Sequence, residues 1–279
     1  MAAGSRVTVQ ATRNLDGVAS IGTLTRKGRG IPSAAAARLG RRLPVRGLGA
    51  AVLCYHDVGR DPANRTDYYL SPERFRDQIE WIREWGLSIV PLPEIVDRLL
   101  AGRDLDGLVA VTFDDALAGI AEYAIPILVE LNVPSTVFVV TEELGVNPPF
   151  WPGAAQTLTA DELVGLTETG LVSLGSHTQH HVSLPDVDPA VRATELGGSR
   201  TSLGALTGAN TDFLAYPSGH HDEDCERASA AAGYRAAFTF SFGRVIPTTD
   251  PFAIPRFCMT AEHDRFRLAR QLARPITSW

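Results

Sequence analysis

Cysteine is scarce in this chain. Cys54, Cys225 and Cys258 are an odd number with no CxxC spacing, which disfavours a disulfide framework or a cysteine-based zinc module. No apolar run approaches the ~18 residues that a membrane-spanning helix needs. A basic, then apolar, then small-residue opening is also missing, because Val18–Leu24 is too short and too polar for a secretory signal. Cytoplasmic location is the default expectation, with peripheral membrane attachment or export as alternatives. Positive charge is lacking where a nucleic-acid groove would need it. Net charge is −6, but residues 1–49 hold nine Lys or Arg against Asp16 alone, which leaves −14 for residues 50–279. Residues 1–49 are therefore read as a basic, flexible arm and residues 50–279 as one catalytic domain. Nothing in the chain indicates an internal repeat, a nucleic-acid partner or a particular oligomeric state.

What remains is the composition of an ordinary globular protein of 279 residues, 44% apolar and 21% charged. From Leu48 onward, short apolar runs alternate with helical stretches. The expected strands are 50–55, 108–113, 135–140, 171–175, 213–215, 236–240 and 252–254, most of them apolar throughout, as in strands buried on both faces. Ser71-Pro72-Glu73 reads as a helix start, with Phe75, Ile79 and Ile82 at helical spacing and Gly86 as the stop. Thr159-x-x-Glu162 is a capping-box pattern, and 189–206 and 222–232 read as two further helices. Alternation of this kind implies an α/β fold with a mostly parallel sheet. The polar clusters fall just after strand ends, which favours a barrel-like arrangement over an open sheet.

Two of these clusters carry chemistry. Thr112-Phe113-Asp114-Asp115 ends an apolar strand with adjacent carboxylates. Such a pair is either a helix cap or solvated turn, or a site where one carboxylate binds a cation and the other acts as a base. Ser176-His177-Thr178-Gln179-His180-His181 sets two histidines four residues apart; in a helical turn they share one face and suit one Zn²⁺. The other reading is a His-rich surface turn, and His180 has the wrong spacing to join His177. One Asp and two His are the ligand set of an open zinc site that lowers the pKa of bound water. Asp114 is then placed to act as general base.

The pairing of TFDD with HTxxH about sixty residues on resembles the polysaccharide deacetylase family (carbohydrate esterase family four). Gly175-Ser-His-Thr, Phe213-Leu-Ala-Tyr-Pro-Ser-Gly, Ala232-Gly-Tyr-Arg-Ala-Ala and Ile254-Pro-Arg-Phe are similar to further family stretches. The resemblance implies a distorted, incomplete (β/α) barrel of about seven parallel strands. It also implies a divalent metal, Zn²⁺ first with Co²⁺ or Ni²⁺ as alternatives, held by Asp115, His177 and His181, with Asp114 as the base. The reaction implied is removal of an N-acyl group, N-acetyl foremost, from an amino sugar or glycan. A small or lipid-linked N-acyl sugar, a non-sugar amide, and a non-catalytic glycan-binding module are the alternatives.

Leu53-Cys-Tyr-His56 near the start of the matched region is similar to the circularly permuted branch that includes poly-N-acetylglucosamine deacetylases. In that branch the early His is the acid, which assigns His56 to protonating the leaving amine; the competing reading is a histidine packed at a strand end. Ala116 stands where many members have Gly. The motif-three Arg is absent, and Arg256 is the expected replacement partner for Asp114, against an ordinary surface Arg. Tyr216 and Ser218 fall in the oxyanion and substrate region, Ser218 through its backbone N–H. Trp151, in a Pro-rich loop, either stacks on a sugar or plugs the loop.

Overall fold

The computed structural model describes residues 43, 46–60, 67–209 and 211–273. Most of the proposed basic arm, residues 1–42 and 44–45, lies outside the described residues. Gly47 and Gly49, also assigned to that arm, donate their backbone N–H groups to Asp106 at 2.6 and 2.8 Å.

Strands β1 (Ala51–Tyr55), β5 (Leu108–Phe113), β6 (Ser135–Val139), β7 (Val172–Ser176), β8 (Phe213–Ala215), β9 (Ala236–Phe238) and β10 (Phe257–Cys258) form one parallel sheet in the order β10-β1-β5-β6-β7-β8-β9. A two-residue strand, β4 (Ser88–Ile89), pairs with the start of β5. The short strands β2 (Asp57–Val58) and β3 (Tyr69–Leu70) pair separately. Seven parallel strands curl into the incomplete barrel that the sequence predicts, and β1, β5 and β6 are buried throughout. Their apolar runs follow from that two-sided burial.

The seventh strand is displaced from its expected place. Residues 252–254 contribute only a single bridge, Phe238 to Ile254, and the ladder to β1 forms later, through Leu53–Phe257 and Cys54–Cys258. Pro251 and Pro255 bracket Ile254 and supply no N–H, so a continuous ladder cannot run through that stretch. The bridge and the ladder together place segment 254–258 between β9 and β1. This arrangement carries Arg256 to the sheet's interior.

Helix α1 (Pro72–Glu84) begins as the sequence indicates: Ser71 caps the Arg74 N–H, Pro72 opens the first turn, and Phe75, Ile79 and Ile82 are buried. A fully buried side chain of that size contributes about 1.5–3 kcal/mol. The remaining helices are α2 (Leu92–Leu100), α3 (Ile125–Glu130, after a π-helical turn Ile120–Ala124), α4 (Ala160–Thr167), α5 (Pro189–Thr207), α6 (Glu223–Ala231) and α7 (Arg265–Ala273). Thr159 and Glu162 complete the predicted capping box on α4. Trp85 is buried in the main core and Trp81 packs against it, in keeping with their place on the helix face.

Candidate active site

The loops after the strand ends converge on a cavity of about 320 Å³ lined by His56, Asp115, His177, His181, Ser218 and four aromatic side chains. The backbone there is unusual. Of the six non-glycine residues with positive φ among those described, five are Asp115, Ala116, Thr178, His181 and Ser218. Left-handed backbone costs an L-residue roughly 1–2 kcal/mol, and such costs persist where the surroundings over-determine the conformation. Three of the five, Asp115, His181 and Ser218, line the cavity. Gly219, also left-handed, is needed for a second reason. A Cβ there would sit 2.5 Å from the Phe240 backbone nitrogen, so Phe240 could not close over the site.

Asp115 Oδ1 lies 3.5 Å from His177 Nε2 and 3.6 Å from His181 Nε2. The same oxygen is buried and has no hydrogen-bond partner. His177 Nδ1 is 2.8 Å from the Ala215 carbonyl, which can only accept, so Nδ1 donates there and Nε2 is the ring nitrogen turned toward Asp115. Burial, reinforced by His177, lowers the His181 pKa to about 3, which keeps that ring neutral. Burial also raises the Asp115 carboxyl above its ordinary value. Two imidazole nitrogens and an orphaned buried carboxylate oxygen suit a divalent cation.

The helical-turn argument for the histidine pair needs correction. Residues 177–181 form a loop beyond β7, with Thr178 and His181 left-handed, and this bend, not an i,i+4 helical face, brings the rings together at 4.8 Å. Glu195 on α5 anchors the loop. Its buried carboxylate accepts from the Gln179 and His180 backbone N–H groups at 2.9 and 3.0 Å and pairs with His180 Nδ1 at 2.8 Å. Glu195 carried no signal in the sequence beyond an acid on a helix. Glu195→Gln removes the charge from these bonds and is expected to destabilise the protein by about 1.5–3 kcal/mol; thermal denaturation would show it, and an unchanged melting curve would contradict it.

Asp114 is fully buried behind Asp115 and is not among the cavity-lining residues. Arg256 holds it with two 2.7 Å hydrogen bonds, and the Cys54 thiol donates to it at 3.4 Å. Burial pushes the Asp114 pKa up, but Arg256 and His177 outweigh it and hold the carboxyl well below its ordinary range. Arg256, buried between the rings of Phe138 and Phe240, is thus not a surface arginine.

His56 borders the cavity, stacked on Tyr68 at 4.8 Å and edge-on to Trp151 and Phe240 at 5.5 and 5.6 Å. Burial pushes its pKa down; the Cys258 sulfur and the Asp115 and Asp114 carboxylates overcome this and raise it above 6.5. Trp151 faces the cavity as one of the sequence alternatives required. Phe150, stacked on His181 at 4.3 Å, and Tyr68 and Phe240 were not singled out in the sequence. Only Phe150, next to Trp151 in the Pro-rich loop, had a positional signal.

Tyr216 does not line the cavity, contrary to the sequence assignment. Its ring is buried against His221, and its hydroxyl donates to the Phe252 carbonyl at 3.0 Å. Residues two apart on an extended segment share a face, but the left-handed backbone of Ser218 breaks that pattern, so Tyr216 stays in the core while Ser218 reaches the cavity.

Residues 101–237 match the family model for polysaccharide deacetylase. The poly-beta-1,6-N-acetyl-D-glucosamine N-deacetylase of Staphylococcus epidermidis is 26% identical over 240 residues, covering 79% of this chain and 82% of that protein. Its Staphylococcus aureus counterpart is 25% identical over 202 residues, covering 70% and 69%. Among solved structures, IcaB from Ammonifex degensii superposes with a TM-score of 0.72 at 25% identity, covering 84% of this chain and 99% of that one. The Streptococcus pyogenes deacetylase PplD, solved with acetate, shares the fold at a TM-score of 0.71 and 22% identity, covering 81% and 98%. The matched segment runs from the end of α2 to the middle of β9 and includes both the Asp-Asp and the His-rich strand ends. This chain carries a polysaccharide deacetylase domain.

Proposed function

We propose that this protein is a metal-dependent N-deacetylase acting on an N-acetylated amino-sugar glycan of the poly-β-1,6-N-acetylglucosamine type. The observation that carries the reading is the convergence of Asp115, His177 and His181, with the orphaned Asp115 oxygen facing Nε2 of both imidazoles. These three residues would hold the divalent ion, with Zn²⁺ the first candidate. Bound there, it supplies Lewis acidity and lowers the pKa of coordinated water toward ~7.

The chain's own groups supply the rest. Asp114, ionised and held in place by Arg256, takes a proton from the attacking water as its oxygen bonds to the acyl carbon. The Ser218 backbone N–H donates toward the developing oxyanion, a role worth about 2.7–4 kcal/mol at a transition state. His56 gives its proton to the nitrogen as the C–N bond breaks, leaving acetate and a free amine. The aromatic walls formed by Trp151, Tyr68 and Phe240 suit the apolar face of a sugar ring, which favours a glycan over a non-sugar amide.

Acetate release tests the proposal. Chelator-stripped protein should be inactive and regain turnover with Zn²⁺, Co²⁺ or Ni²⁺. Poly-β-1,6-N-acetylglucosamine oligomers should exceed chitooligosaccharides, monomeric N-acetylglucosamine and lipid-linked N-acetylhexosamine as substrates. No acetate from any of them with any of these metals would refute the reading.

The acid role of His56 predicts the pH profile. A raised pKa keeps the imidazolium populated past the ordinary ~6.5, so kcat/KM should fall only as pH rises through that higher value. The residual activity of His56→Gln should lack this alkaline limb. An unchanged limb would assign it to another group.

A further inference from the structure

A second cluster of ligand-type side chains lies beside the catalytic cavity. Cys54 and His56 are two residues apart on one face of β1 and the turn that follows it, and Cys54 is the direct register partner of Cys258 on β10. Both sulfurs and a ring nitrogen of His56 lie within 4.8 Å of one another. His56 Nδ1 is buried without a hydrogen-bond partner. Cys258 is partly exposed on the wall of a neighbouring cavity of about 640 Å³, which gives an ion a route in.

We propose that Cys54, His56 and Cys258 form a second metal site, separate from the Asp115–His177–His181 centre, that captures a soft, thiolate-seeking ion such as Cd²⁺. Two sulfurs and one imidazole are a soft donor set, whereas an Asp and two histidines also suit harder ions. Tetrahedral ligands at ~2.3 Å for sulfur and ~2.0–2.1 Å for nitrogen stand roughly 3.5–3.8 Å apart, so the cluster needs to contract by no more than about 1 Å. Charge favours it as well. Arg256 is neutralised by Asp114, which leaves two thiolates to balance a divalent ion. Binding as thiolates sends any proton still held by Cys54 or Cys258 to solvent. Occupancy commits a nitrogen of His56, so a soft ion in this site blocks the proton donor. That last step rests on the role of His56 proposed above; the binding itself does not.

Titration of the reduced, chelator-stripped full chain with Cd²⁺ tests the site. The Asp115–His177–His181 centre has no sulfur and gives no sulfur-to-metal charge-transfer absorption in the ultraviolet. Wild type should develop that band with one equivalent and bind two Cd²⁺ in total. Cys225→Ser should match wild type, whereas Cys258→Ala and the Cys54→Ser/Cys258→Ser double variant should lose the band and bind one. With Zn²⁺ in the first site, a further equivalent of Cd²⁺ should lower acetate release by about 10²-fold. Folded wild type without the band overturns the proposal whether or not the double variant folds. A band that survives in Cys258→Ala, or that Cys225→Ser abolishes, overturns it equally. If the deacetylase reading fails, the acetate assay alone is silent and the charge-transfer result stands.

Discussion

Arg256→Met is expected to destabilise the protein by about 3–5 kcal/mol, because it leaves the Asp114 charge buried and unpaired. Both Asp114 oxygens now accept from Arg256 at 2.7 Å, and both side chains are excluded from solvent. The guanidinium also donates to the Thr239 carbonyl at 3.1 Å and packs between Phe138 and Phe240. Met replaces the packing volume but none of those donors. For a domain of this size the loss lowers Tm by roughly 6–20 °C. Because the folded Asp114 pKa is depressed, the pair's stabilisation is complete above the unfolded value of about 3.9 and is lost as pH falls toward the lower folded value. The difference between wild type and Arg256→Met should therefore be large at neutral pH and shrink in acid. Adding Asp114→Asn to Arg256→Met should recover part of the loss, since the orphaned charge is gone. A Tm within 2 °C of wild type at neutral pH would show that the pair does not carry this part of the fold.

The second large effect is on turnover. Asp114→Asn keeps the shape of the side chain but cannot take a proton, and kcat should fall by about 10²–10⁴. Metal affinity should stay near wild type, because the three proposed ligands are Asp115, His177 and His181. The substitution also strands the Arg256 charge, so turnover has to be measured at a temperature where circular dichroism shows the variant folded. Near-wild-type turnover with metal bound would remove Asp114 from the base role. Loss of metal together with activity would instead mean that Asp114 supports the ion directly.

The Asp-Asp and His-x-x-x-His signatures were legible because each lies within five residues and each terminates a recognisable apolar strand. Local signals of that kind also revealed the Ser71 cap, the Thr159–Glu162 capping box and most of the parallel strands. Arg256 was legible only as a motif match, because its partner is 142 positions away and depends on how far the sheet curls. The helical reading of residues 177–181 had the right residues for the wrong reason. Spacing alone cannot show that Thr178 and His181 are left-handed, a conformation enforced by contacts from α5 and β6. Tyr216 was misplaced because alternation along two or three residues, broken by one left-handed Ser218, decides which side chain reaches the cavity.

Local chemistry thus specified the strands, the caps and the identity of the metal-type ligands, since backbone propensity, apolar patterning and donor type are properties of short segments. Long-range packing decided the rest: the Arg256–Asp114 pair, the Glu195 anchor, the aromatic ring around His56, and the Cys54–Cys258 register. Those contacts join residues far apart in the chain, and they exist only once β10 has been threaded beside β1 at the closing edge of the sheet.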